Sequence, residues 1–216
     1  KKLESNSIAF FNSNDIYPVS ADSTLPFEQH RDIFYLSGID QEESILVLFP
    51  DSKKNSFKEM LFIRETNDHI THWEGEKLTK EKAKDISGIN NIYWTNEFKD
   101  ILNQIIKQSE NVYINTNEHY RQNVETQTRE DRFIEELKKI GGINFKKSNP
   151  ILQKQRSIKD EIEIRLIEHA CNITRKGFER VLKFVKPGVW EYEIEAEFSH
   201  EFLKNRSKKF AYSPII

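Results

Sequence analysis

The run Ser44-Ile45-Leu46-Val47-Leu48-Phe49, followed after the turn residues Pro50 to Ser56 by Met60-Leu61-Phe62-Ile63, decides the fold. A strand with one wet face alternates apolar and polar residues, whereas these two runs are almost continuously apolar. They therefore read as neighbouring strands of a sheet covered on both faces, joined as a hairpin.

Working outward, Ser7 to Phe11 is a short apolar run and a first strand, and Asn12 to Phe27 is rich in turn-forming residues and reads as loop. Asp32 to Gly38 is an aromatic patch ending at a turn, with Phe34-Tyr35-Leu36 expected in the core. Downstream, Thr79 caps a short helix that runs to Ile86 and stops at Gly88, and Ile89 to Trp94 is a strand. Asn96 is placed as the cap of a helix whose apolar positions, Phe98, Ile101, Leu102, Ile105 and Ile106, share one face. Val112 to Ile114 is a strand, and Arg129 to Ile140 is a helix with Phe133, Leu137 and Ile140 inward, closed by Gly141-Gly142. Ile143 to Lys147 is another strand. This alternation predicts an α/β layered domain.

Asn149-Pro150 punctuates the chain, and long helices follow. Ser157 and Asp160 fit a capping box for a helix that Pro187-Gly188 ends. A second helix carries Trp190, Ile194, Phe198 and Phe202 along one stripe, expected to be buried, and Lys209 to Ile216 reads as a strand. The expected domains are residues 1–153 and 154–216.

Net charge is -2, which gives no whole-chain footprint for nucleic acid. Cys171 is the single cysteine, so neither an intrachain disulfide nor a cysteine zinc site is available. No apolar run approaches membrane-spanning length, and no secretory apolar segment is visible, so a cytoplasmic location is expected.

His69 and His72 lack the spacing and intervening Glu of a zinc helix, and their segment reads as a strand end or loop. Asp22, His30 and Asp32 sit in polar sequence where such residues commonly serve turns. Trp73, among His72, Glu74, Gly75 and Glu76, divides evenly between packing and a recognition platform.

Four segments in order resemble the aminopeptidase P family. They are Ser20-Ala21-Asp22-Ser23-Thr24-Leu25-Pro26-Phe27 running into Asp32 to Gly38; His72-Trp73-Glu74-Gly75-Glu76-Lys77-Leu78; Arg156 to Glu163; and Lys186 to Glu193. Departures are Glu28 where the family often has Arg, Asp40-Gln41-Glu42 where it has Glu-Pro, and Glu76-Lys77 where it has a basic pair. The resemblance implies an α/β, ribonuclease H-like mixed sheet with flanking helices, followed by two helices and a strand that open a pita-bread metallopeptidase domain. It implies an Xaa-Pro aminopeptidase that releases the residue before a penultimate proline with two manganese ions. A prolidase, a creatinase or a non-catalytic peptide-binding module shares the architecture. It further implies a homo-oligomer, dimer or tetramer, acting on peptides with proline second, with no nucleic-acid or membrane partner. Asp22 and Trp73 match positions that reach a neighbouring subunit's active site, and Tyr212 matches a tyrosine beside a metal-ligating Asp. The metal ligands are expected beyond Ile216, so the chain is expected to hold no metal, to be inactive alone, and to contribute substrate gating and oligomerisation.

Overall fold

The computed structural model describes residues 2–20, 23–116, 126–208 and 210–211. The chain divides into two compact units, Lys1–Gln155 and Arg156–Ile216.

In the first unit the elements run β1 (Ser7–Asn12), β2 (Pro18–Ser20), β3 (Ser23–Thr24), α1 (Arg31–Ser37), β4 (Ile45–Leu48), β5 (Glu59–Ile63) and α2 (Asp68–Glu74). They continue with α3 (Lys80–Ser87), β6 (Ile92–Trp94), α4 (Phe98–Ile105), β7 (Asn111–Ile114), α5 (Arg129–Ile140), β8 (Asn144–Lys147) and α6 (Asn149–Ser157). The main sheet has six strands in the order β6-β5-β4-β1-β7-β8. β1, β4 and β5 form an antiparallel meander, while β7 is parallel to β1 and β8 to β7. These five strands have the ribonuclease H-like arrangement, and β6 adds a parallel edge beside β5.

The apolar runs are explained by the two-residue period of a strand. Ile8, Phe10, Ile45, Val47, Met60 and Phe62 face the layer that contains Ile101, Ile105, Phe133 and Leu137 of α4 and α5. Ala9, Phe11, Leu46, Leu61 and Ile63 point the other way, toward Ile33, Ala83 and Leu152 of α1, α3 and α6. All of these named positions are therefore buried, and no alternation survives among them in the sequence. Phe10 meets Phe133 edge-on at 5.0 Å, and Phe62 meets Phe98 in the same manner at 5.0 Å.

Several expectations are corrected. Asp32 to Gly38 is mostly helix, and its buried apolar residue is Ile33, while Phe34 is 50% exposed. The Asn12 to Phe27 loop contains the β2–β3 ladder. Asn96 caps nothing: a short 3₁₀ turn, Thr95–Glu97, precedes α4, and the Trp94 N–H donates to the Glu97 carboxylate at 2.7 Å. Ile140, at the end of α5, is exposed rather than inward. Thr79 and Gly88 do flank α3 as its caps.

The second unit contains α7 (Glu161–Phe184) and α8 (Glu191–Lys204). Ser157 ends α6, and the capping box lies three residues later. The Glu163 N–H donates to Asp160 Oδ1 at 2.8 Å, and the Asp160 N–H donates to Glu163 Oε2 at 3.0 Å. The helices meet at Gly177, where a Cβ would lie 2.7 Å from Phe198. The aromatic stripe of α8 is at most half-buried, and Trp190 is exposed. The strand expected at 209–216 falls largely outside the described residues.

Candidate functional site

The carboxyl ends of the parallel strands β1, β7 and β8 bring together Asn12, Asn115 and Ser148, at the end of an α/β sheet where ligands commonly sit. Glu130 enters from the first turn of α5, on the same helical face as Phe133 and Leu137. Its carboxylate accepts from Asn12 Nδ2 at 2.7 Å and from the Asn115 N–H at 3.0 Å. Asn115 Nδ2 in turn donates to Asp32 Oδ2 at 3.0 Å, and Ser148 Oγ donates to Asn115 Oδ1 at 3.1 Å. Burial pushes the Glu130 carboxyl above its ordinary range, against the pull of the Asn12 and Asn115 hydrogen bonds. Beside it, Arg129 Nη1 donates to Ser13 Oγ at 3.0 Å, and burial lowers the guanidinium's pKa. This cluster ties strand ends to α1 and α5. His30 belongs to the same framework, because its ring accepts from the Asp32 N–H and caps α1.

A second polar cluster fixes α2 and the residues after it. Arg64 forks onto Glu74 at 2.6 and 2.9 Å and also donates to Glu42 Oε1 at 3.2 Å. Lys77 Nζ reaches the same Glu42 oxygen at 2.6 Å, and the Leu78 N–H donates to Gln41 Oε1 at 2.7 Å. The Glu42 side chain is 8% exposed. Burial alone would raise its pKa; the Lys77 ammonium, Glu42's own backbone N–H and Arg64 together carry the carboxyl below the usual range. An open cavity of about 440 Å³ lies between the two clusters, lined by Asp15, Tyr17, Glu42, Glu43, Arg129 and Arg132.

Of the three residues singled out from sequence, Trp73 lies on α2, while Asp22 and Tyr212 lie outside the described residues. His69 and His72 are on α2, a helix rather than a strand end or loop, and both are exposed. Among the described residues no three His, Cys, Asp or Glu side chains converge as a metal site, so these residues supply no donor set for a metal. No helix among them is long and apolar enough to cross a membrane.

Sequence reasoning missed Glu130, Arg129 and Glu42. Glu130 had a signal, its place three and seven residues before the inward Phe133 and Leu137. Glu42 gave none, because its partners Arg64 and Lys77 are brought to it only by the β4–β5 hairpin and α2.

Two family models match: aminopeptidase P, N-terminal domain, over residues 1–113, and metallopeptidase family M24 over residues 165–216. The chain is 29% identical over 198 residues to the Xaa-Pro aminopeptidase of Haemophilus influenzae, covering 90% of this chain and 43% of that protein. It is 26% identical over 203 residues to the Xaa-Pro aminopeptidase of Escherichia coli, covering 91% and 45%. Among solved structures, a putative aminopeptidase P from Bacillus anthracis superposes with a TM-score of 0.83 at 26% identity, covering 94% of this chain and 48% of that one. The low-pH form of Escherichia coli aminopeptidase P superposes with a TM-score of 0.79 at 24% identity, covering 96% and 47%. The chain thus spans less than half the length of these relatives.

Proposed function

This chain belongs to the aminopeptidase P, N-terminal domain family, and from that premise we propose that the intact protein is an Xaa-Pro aminopeptidase. It would hydrolyse the bond between a peptide's first residue and a proline in second place. The observation that carries this reading is the order of the two matches in one chain: the aminopeptidase P N-terminal model, then the opening of an M24 metallopeptidase. In this reading residues 1–153 are the N-terminal domain and residues 154–216 begin the catalytic one.

The catalytic metals, two manganese ions, are assigned to the part of the relatives' length that this chain does not span. A metal pair supplies an activated water and a polarised carbonyl. This chain's own part is to bind and orient the peptide through Asp22, Trp73 and Tyr212, and to gate access. Alone it is inactive. Four of the exposed apolar residues of the first unit, Tyr17, Val19, Leu25 and Phe34, lie on the β2–β3 ladder, its flanks and α1, and support a homo-oligomer built through this domain. A cytoplasmic setting is part of this reading.

The test is release of the first residue from an Xaa-Pro-Yaa peptide by the full gene product loaded with manganese, beside an Xaa-Pro dipeptide and creatine. Turnover of the longer peptide is expected. Turnover of the dipeptide alone or of creatine alone would move the protein to the prolidase or creatinase branch. Loss of all three activities in a metal-loaded, folded protein would leave a binding module.

A further inference from the structure

Among the side chains of α2 whose burial is described, little is covered. Asp68, His69, Thr71, His72 and Glu74 are exposed, and Ile70 is half-buried. A seven-residue helix is too short to persist on its own hydrogen bonds. Charge acts at its C-terminal end, and the charges converge on one atom. Glu42 Oε1 accepts from Lys77 Nζ at 2.6 Å and from Arg64 Nη1 at 3.2 Å, and Arg64 carries the fork onto Glu74, the last residue of α2. The chain returns from Glu74 to Lys77 through Gly75, at φ 81° and ψ 173°, a conformation open essentially to glycine alone. The Gln41 side chain, accepting the Leu78 N–H at 2.7 Å, closes the far end of the loop.

We infer that Glu42 is a positioning residue that fixes the α2 segment, and with it Trp73, through Arg64 and Lys77. Without the carboxylate, two cations that are only 21% and 12% exposed face each other with the more exposed Glu74 and Glu43 as their remaining anions. Removing one partner of a buried charge cluster leaves the others uncompensated, so the segment is released while the sheet beneath it stays closed. This device stands on the contacts of Glu42 with Arg64 and Lys77. Its bearing on catalysis rests on the proposed peptidase reading; its bearing on α2 does not.

The experiment has two arms. In the 216-residue chain, with Trp94→Phe and Trp190→Phe leaving Trp73 as the sole tryptophan, acrylamide quenching and fluorescence anisotropy are compared for the parent, Glu42→Gln and Glu74→Gln. The Glu42 variant is expected to show quenching raised about twofold and lower anisotropy, with unchanged far-ultraviolet circular dichroism, as a local rather than global release requires. The more exposed Glu74→Gln, which leaves the Glu42 pairs in place, shifts in the same direction by less and serves if Glu42→Gln does not fold. Parent-like quenching and anisotropy in whichever variant folds overturn the inference. In the full gene product, Glu42→Gln is expected to lower kcat/KM on the order of tenfold, mainly through KM, as misplaced substrate-positioning groups do. Released Trp73 with unchanged kinetics would overturn its peptide-binding role and leave the positioning of α2 standing.

Discussion

The two units of this chain bury their apolar residues very differently. In the first, β1, β4 and β5 are sandwiched between helical layers, and Ile8, Phe10, Val47, Met60, Leu61 and Phe62 are fully buried. In the second, α7 and α8 touch each other through Gly177, Phe178 and Phe198, yet Ile162, Leu166, Leu182, Trp190 and Leu203 are each at least 60% exposed. Both stretches are rich in large apolar residues. What separates them is whether other described elements cover those faces. A sheet with both faces clothed is a finished core; a helical pair with apolar outer faces presents surface of the kind other protein normally covers.

That contrast can be broken by mutation. Phe10→Ala removes a ring packed edge-on against Phe133 in the closed core. It should cost about 3–5 kcal/mol, read as a lower denaturation midpoint followed by circular dichroism. A cost below 1 kcal/mol would mean that the core is looser than its burial implies. Gly177→Ala is the matching insult to the second unit, because the added methyl group meets Phe198 at 2.7 Å. Expected is a loss of about 1–3 kcal/mol, confined to α7 and α8 and visible as faster amide exchange there with the sheet unaffected.

A smaller effect comes from Glu130. Its folded pKa is raised by burial, so its contribution to stability is fully present below the ordinary carboxylate range and is lost as pH rises through the raised value. Measured against Glu130→Gln, which does not titrate, the parent should therefore lose relative thermal stability from acid toward neutral pH. A flat difference would place Glu130 in a more solvated site. Leu182→Ala, at a side chain 73% exposed, should change stability by no more than about 0.5 kcal/mol. A large loss there would show that the second unit is closed after all.

The closed unit was the more legible of the two from sequence, because its signals are local. Continuous apolar runs name the central strands, Thr79 and Gly88 bracket α3, and Phe98 to Ile106 declare one helical face. Errors fell where the choice is made by tertiary context. The aromatic ring at 34 points to solvent because Ile33 takes the inward place in a seven-residue helix. The capping role passed from Asn96 to the Glu97 carboxylate, which Lys80 also holds at 3.3 Å. Ser157 and Asp160 satisfied a capping pattern, yet Asp160 with Glu163 satisfies it better and sets the start of α7. The site was less legible than the fold. Trp73 stood out by its polar neighbours, but the carboxylate that anchors its helix lies across a hairpin, and no spacing rule connects Glu42 to Lys77.

Native-state hydrogen exchange on the 216-residue chain tests the difference between the closed and open units most directly. Amides of Phe10, Val47, Phe62 and Tyr113 should exchange only through global opening of the sheet, and those of α7 and α8 at least about a hundredfold faster through local opening. Equal protection in the two units would contradict the account.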